Sequence, residues 1–254
     1  MSARPDIVTA AVLVIGDEIL SGRTKDRNIG YIADYLTAIG IDLKEVRVVS
    51  DEAAAIIDAV NALREKYTYV FTTGGIGPTH DDITADCVAE AFGVPLQIHP
   101  EAVAILKERL AKMGGELNEA RLRMARIPKG AALVANRVSG APGFWIGNVI
   151  TMAGIPAVMQ SMLDEVAPKL KTGTRLLSET IRADAKEGDV GTQLGEIAKS
   201  HPETIIGSYP FIDEKNGPNT NIVVRSRDAE KLAAAKREVE AMLVKVRSQL
   251  RAAG

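Results

Sequence analysis

The sequence predicts an α/β protein: a mainly parallel sheet covered by helices on both faces, followed by a small α+β unit. Three observations carry this expectation. Strand-like and helix-like patterns alternate through the first 170 residues, as they do in βαβ units. Residues 9–15 (TAAVLVI) form an apolar run without alternation, the pattern of a strand buried on both faces. After Lys171-Thr172-Gly173-Thr174 the order changes to strand, helix, strand, strand, helix, which implies a second sheet of its own. The expected domains are 1–170 and 174–254.

The elements follow in order. The first strand ends at Gly16. Residues 26–39 read as a helix, with Ile29, Ile32, Ala33, Leu36 and Ile39 at helical spacing and Gly40 as its stop. Residues 41–49 form the next strand, and Asp51 is placed to cap a helix striped by Ile56, Ile57, Val60 and Leu63. A third strand, 67–73, runs into Gly74-Gly75-Ile76-Gly77-Pro78. Helices follow at 84–92 and, with Pro100 in the first turn, at 101–113. A short helix near 118–125 leads to strands around 131–134 and 148–152, and Gly154-Ile155-Pro156 opens a helix over 157–170. In the second unit the strands are 175–182, 204–210 and 220–225, and the helices are 189–200 and 228–250. A polar turn, 213–219, joins the last two strands.

Composition narrows the function. Apolar residues make up 46% and charged residues 25%, the balance of a soluble globular protein. A count of 31 basic and 33 acidic residues gives a net charge of −2, which argues against a DNA-coating or polybasic membrane-surface protein. The single cysteine, Cys87, excludes an intramolecular disulfide framework and reads as core packing. His80, His99 and His201 are scattered, so a histidine-rich metal site is not expected. No apolar run reaches the ~18 residues of a membrane span, and residues 1–9 hold no signal-peptide core. A cytoplasmic protein with neither nucleic-acid nor membrane partners is the expectation. The basic run Lys107, Arg109, Lys112, Arg121, Arg123, Arg126, Lys129 has no interleaved aromatic, so it reads as a solvated face or a contact with a partner domain.

Ligands of open parallel sheets bind beyond the carboxyl ends of the strands, and three glycine-bearing segments fall there. The first, Gly16-Asp17-Glu18-Ile19-Leu20-Ser21-Gly22-Arg23, is no P-loop, because the glycine spacing is wrong and Arg23 replaces the lysine. It either presents Asp17 or Glu18 to a ligand or metal, or is a turn whose carboxylates cap nearby amides. The second, Thr72-Thr73-Gly74-Gly75-Ile76-Gly77-Pro78-Thr79-His80-Asp81-Asp82-Ile83-Thr84, joins a glycine cradle suited to an anion with two adjacent carboxylates. Phosphate and carboxylate repel unless a hard divalent cation lies between them, so the pairing implies a metal-bridged phosphoester or pyrophosphate. The alternative is that Asp82 caps the following helix and Asp81 is solvated. The third segment, Met152-Ala153-Gly154-Ile155-Pro156, either closes the other side of a pocket or is a tight turn.

Taken together, these segments resemble the MoaB/Mog (molybdopterin-binding) domain, and within it the CinA-type N-terminal region and the similar domain of eukaryotic FAD synthases. The residues carrying the resemblance are Ile15-Gly16-Asp17-Glu18-Ile19-Leu20 with Gly22 and Asn28, the stretch from Thr73 to Thr84, Ala141-Pro142-Gly143-Phe144, and Gly154-Ile155-Pro156. Ile206-Gly207-Ser208-Tyr209-Pro210 in the second unit is similar to the FAD-synthase-type relative. The resemblance implies a three-layer α/β/α sandwich with a small C-terminal α+β domain, assembled as a dimer or trimer. It also implies a divalent metal (Mg, Mn or Co) and a nucleotide or pterin-phosphate ligand. The implied activity is hydrolysis of ADP-ribose, FAD or a similar pyrophosphate. The alternatives are a non-catalytic molybdopterin- or nucleotide-binding module, or pterin adenylylation.

By the resemblance, Asp82 and Asp81 are catalytic, with Asp82 and Asp17 as metal ligands. Thr73, Gly74, Gly75, Gly77, Pro78, Thr79, Asn28, Gly154, Ile155 and Pro156 contact substrate. Two positions depart from the CinA-type pattern. Ala153 stands where a proline is usual, and Val158 where a glutamate is usual.

Overall fold

The computed structural model describes residues 6–215 and 217–253. The chain divides into two compact units, one spanning Asp6–Gly173 and the other beginning at Thr174.

The first unit opens with β1 (Val8–Ile15), a four-residue helix α1 (Asp17–Leu20), α2 (Asn28–Ala38) and β2 (Ile41–Val49). Then come α3 (Ala53–Lys66), β3 (Tyr69–Thr73), α4 (Thr84–Ala91), β4 (Leu96–Ile98) and α5 (Pro100–Lys112). The short α6 (Glu119–Leu122) continues as a 3-10 turn into β5 (Arg126–Pro128), followed by β6 (Ala132–Val134), β7 (Gly143–Ile146), β8 (Val149–Met152) and α7 (Pro156–Val166). The main sheet has the order β2-β1-β3-β8-β7-β6. Its first four strands run parallel, whereas β7 and β6 are added antiparallel.

The apolar run is the central strand, and its successive side chains serve two cores. Ala11, Leu13 and Ile15 pack with α3, α4 and α5 through Ile56, Val60, Cys87, Val88 and Leu106. Ala10, Val12 and Val14 pack on the other face with α2 and α7 through Ile32, Leu36, Met159 and Met162. The expected three-layer α/β/α arrangement is therefore present, and a strand covered on both faces has no use for polar alternation.

Local corrections are instructive. Asp51 does not cap α3, which begins after Glu52 without a side-chain cap. Its carboxylate instead accepts the Asp17 N–H at 2.9 Å, at the start of α1. Strands β4, β5 and β7 lie outside the sequence expectation. Two of them form a separate two-stranded antiparallel sheet, and β7 begins at the end of Gly140-Ala141-Pro142-Gly143, which reads locally as a turn.

The second unit consists of β9 (Leu177–Arg182), α8 (Glu187–Ser200), β10 (Ile205–Asp213), β11 (Gly217–Ser226) and α9 (Ala229–Ala253). Its antiparallel sheet has the order β10-β11-β9. Ile222 and Val224 pack against Val190, Leu194, Val239 and Leu243 of the two helices. Strand pairing runs on to Asp213 opposite Gly217, so the hairpin is tighter than the polar turn expected over 213–219.

Candidate active site

Three loops leave the carboxyl edge of the parallel strands together. Val14 of β1 pairs with Thr73, and Thr73 pairs with Met152 of β8, so the segments after Ile15, Thr73 and Met152 emerge side by side. The close approach is built from glycine. A Cβ on Gly74, whose φ is +106°, would lie 2.1 Å from the Ile15 carbonyl oxygen. A Cβ on Gly154 would touch the Gly74 Cα at 3.4 Å.

Between these loops lies a cavity of about 590 Å³. Gly74, Gly75, Gly77, Pro78 and Asp82 form one wall, and Gly154, Ile155 and Pro156 another. Met124, Ala141, Val158 and Met162 supply an apolar floor. Much of the boundary is therefore hydrocarbon or main chain, which suits a flat apolar ring with an anionic tail.

The anionic end is defined by main-chain donors. The Gly74 N–H is spent on the Met152 carbonyl at 3.1 Å. Among the described residues, the amides of Gly75, Ile76 and Gly77 reach no protein acceptor. Three successive unspent N–H groups beside a cavity are a nest for phosphate or carboxylate oxygens. The following helix, α4, starts at Thr84, as the sequence predicts. Its first amide turns back to the Gly75 carbonyl at 3.0 Å, and the Thr84 hydroxyl donates to the Gly74 carbonyl at 3.0 Å. These bonds fix the shape of the cradle.

Asp82 does not cap α4. Its Oδ2 accepts the Thr79 N–H at 2.8 Å and the Thr79 hydroxyl at 2.6 Å. Its Oδ1 accepts nothing among the described residues, so the loop orients the carboxylate through one oxygen and leaves the other available. Two members of the basic run hold this loop from behind. Arg123 donates from Nε to the Thr79 carbonyl at 3.0 Å and from Nη2 to the Asp82 carbonyl at 3.3 Å. Arg126 donates from Nη2 to the Asp82 carbonyl at 3.5 Å and pairs with Asp86 of α4 at 2.8 Å. The expectation of a solvated face or partner contact fails for these two, whose partners lie some 40 residues away in sequence.

The other candidates divide. Thr73 is buried, and its hydroxyl has no partner among the described residues. Thr79 acts on Asp82 rather than on the cavity wall. Asn28 is 4% exposed and holds the Gly154 carbonyl at 2.8 Å, so it positions a wall without lining it. Asp81 is exposed, and its carboxyl, beside Thr79 and its own amide, lies below the ordinary range. Asp17 is exposed and lies outside the cavity lining, whereas its neighbour Glu18 lies within it. Adjacent residues on a helical turn point in directions ~100° apart, so sequence could not choose between them. Trp145 is not part of the lining; it donates to the Gly147 carbonyl and packs edge-on against Tyr69. No helix among the described residues is long and apolar enough to cross a membrane.

Comparisons with known proteins follow the two units. Residues 11–172 match the family described as "Probable molybdopterin binding domain", and residues 175–249 match "FAD synthase, middle domain". A protein of Caldivirga maquilingensis is 33% identical over 219 residues, covering 80% of this chain and 85% of that one. A "CinA-like protein" of Gemmatimonas aurantiaca is 33% identical over 232 residues, covering 86% of this chain and 54% of that relative. This chain thus spans about half the length of the CinA-like relative. Among solved structures, the protein CinA from Thermoplasma acidophilum, described as of unknown function, aligns with a TM-score of 0.59 at 34% identity. It covers 64% of this chain and 98% of its own. With its parallel sheet, its glycine cradle and a family match across 11–172, the chain belongs to the molybdopterin-binding domain family.

Proposed function

We propose that the first unit anchors a nucleotide or pterin phosphate in the 590 Å³ cavity and, with a divalent cation, hydrolyses a nucleotide pyrophosphate such as ADP-ribose or FAD. One observation carries the reading: the unspent amides of Gly75, Ile76 and Gly77 stand on the same wall as an oriented, half-satisfied Asp82 carboxylate.

The donor set is compatible with a cation shared with substrate. No group of three or more His, Cys, Asp or Glu side chains among the described residues is arranged as a metal cage. Mg²⁺ needs none when substrate phosphates and waters supply most of its oxygens. Asp82 and Glu18, both on the cavity lining, are the carboxylates available to it. When bound, such a cation neutralises phosphate charge and acidifies a coordinated water. The protein's own part is binding and orientation. The amides of 75–77 take phosphoryl oxygens, where preorganised donors cost no reorganisation as charge develops. Met124, Met162 and Ile155 take the ring and exclude water around it. Arg123 and Thr79 keep Asp82 in place.

A specific observation favours a second reading, a non-catalytic binding module. Val158 is 5% exposed and puts hydrocarbon on the cavity floor where the CinA-type pattern carries glutamate. One experiment separates the two. The full chain is incubated with ADP-ribose, FAD or NAD and Mg²⁺, Mn²⁺ or Co²⁺, and released mononucleotide is measured by chromatography. Metal-dependent release that is lost in Asp82→Asn supports hydrolysis. No release with any pair, from a protein whose melting temperature still rises with nucleotide, replaces hydrolysis with the binding module.

A further inference from the structure

A second cavity, of about 620 Å³, lies within the second unit and is independent of the site above. Its walls come from the loop between β9 and α8 (Asp184, Lys186), the first turn of α8 (Asp189), the start of β11 (Asn219) and the last turns of α9 (Arg247, Arg251). Three cations face two carboxylates, and the carboxylates are already engaged. Asp184 receives Arg182 Nε at 2.6 Å and Asn219 Nδ2 at 3.4 Å, and it lies 3.4 Å from Arg247. Asp189 accepts the Lys186 N–H at 3.0 Å, closing the first turn of α8.

The cations are not engaged in the same way. Arg247 is anchored by the Ala183 and Arg182 carbonyls at 2.8 and 2.7 Å. The Lys186 ammonium and the Arg251 guanidinium meet no acidic partner among the described residues. Arg251 lies one helical turn beyond Arg247, so both project to the same side of α9. The 14-residue α8 directs the positive end of its dipole to the same region. The rim is also held rigidly. Asp184 sits at φ +48°, a conformation that is costly for a residue with a Cβ and is maintained here by Arg182, Asn219 and Arg247. Three cations against two engaged carboxylates leave the lining with a positive excess, which no acidic partner of Lys186 or Arg251 among the described residues offsets.

We propose that this cavity is a binding site for a small phosphorylated ligand, with Lys186 and Arg251 contacting the phosphate and Arg247 shaping the pocket. The lining contains no aromatic ring, so the base-stacking platform of single-stranded nucleic-acid sites is missing. A phosphate ester or diphosphate of metabolite size fits the volume and the charge.

The test uses the full chain, labelled with ¹⁵N and titrated with inorganic pyrophosphate in the presence of EDTA, against potassium chloride at matched ionic strength. The amides of Ala185, Asp189 and Asn219 are expected to shift saturably with pyrophosphate and not with chloride. In Lys186→Gln/Arg251→Gln the affinity read from those shifts should fall at least about tenfold, or ~1.4 kcal/mol, while the spectrum elsewhere stays that of the folded wild type. Absence of saturable shifts, equal shifts with chloride, or unchanged affinity in the double variant would overturn the proposal. Gly75 and Gly77 report the first-unit site in the same spectra, so failure of either site is seen separately.

Discussion

Asn28 Nδ2 donates to the Gly154 carbonyl at 2.8 Å, joining the start of α2 to the loop before α7 across 126 positions of sequence. The Asn28 amide itself rests on Asp26 Oδ1 at 3.1 Å, as does that of Ile29 at 2.8 Å. One helix start thereby fixes a cavity wall. Asn28→Ala removes the tie and leaves a carbonyl short of a donor, a loss of about 1–3 kcal/mol. Urea unfolding should show that loss, and calorimetry should show weaker nucleotide or pterin binding. Unchanged stability would mean that water replaces the amide without cost.

Gly77 is tight against the carboxylate it serves. A Cβ there would lie 2.6 Å from Asp82 Oδ2. Gly77→Ala should displace Asp82 and reduce phosphate-ligand affinity or turnover by about tenfold, ~1.4 kcal/mol, with little change in unfolding midpoint because the loop lies at the surface. Wild-type binding in this variant would remove Asp82 orientation from the account.

Arg123 is predicted to hold the diaspartate loop. Arg123→Gln withdraws donors from the Thr79 and Asp82 carbonyls. Hydrogen exchange at the Thr79 and Asp82 amides, which close the loop on Asp82 Oδ2 and the Thr79 carbonyl, should quicken relative to the rest of the first unit. Exchange that is unchanged at both amides would leave Arg126 and Thr79 as sufficient supports.

Acid stability should depend on Glu45. Its carboxylate accepts from Tyr67 at 2.6 Å, Lys66 at 2.9 Å and Arg47 at 2.7 Å. The Tyr67 hydroxyl, then Lys66 and Arg47, hold its pKa down at about 2. A carboxyl depressed on folding contributes stability above its ordinary pKa, and that contribution is lost as pH falls through the folded value. Glu45→Gln should therefore lower the melting temperature at pH 7, and its difference from wild type should shrink between about pH 4.5 and 2. A pH-independent difference would assign the effect to packing.

Cys87 should be inert in the native state. It is buried between α4 and the core, and burial, reinforced by the neighbouring Asp86, pushes its thiol up to about 11. Ellman's reagent at pH 8 should react only after denaturation, because thiolate is the nucleophile and little is present. Rapid native labelling would show that α4 opens.

Legibility in sequence followed the range of the forces involved. Strands β1 and β3 were plain because burial on both faces demands an unbroken apolar run, and α2 and α3 because their stripes repeat at helical spacing. The glycine cradle was equally plain, since Gly74, Gly75 and Gly77 fall within four residues. Strand β5, Arg126–Pro128, was not legible: three residues with a charge and a proline carry no strand pattern, and their pairing with β4 comes from tertiary contact.

The sequence by itself determined the alternation of elements, the doubly covered parallel sheet, the family resemblance and the glycine-to-diaspartate segment, because these rest on patterns within one element or one loop. The tertiary structure decided that Glu18 rather than Asp17 lines the cavity, that Arg123 and Arg126 support the loop, and that Asp82 is held by Thr79 instead of capping α4. The support from Arg123 and Arg126 depends on side chains converging from distant segments, and the other two outcomes on the direction in which a turn points its side chains. Both are set by how strands and helices pack, a property that local periodicity does not encode.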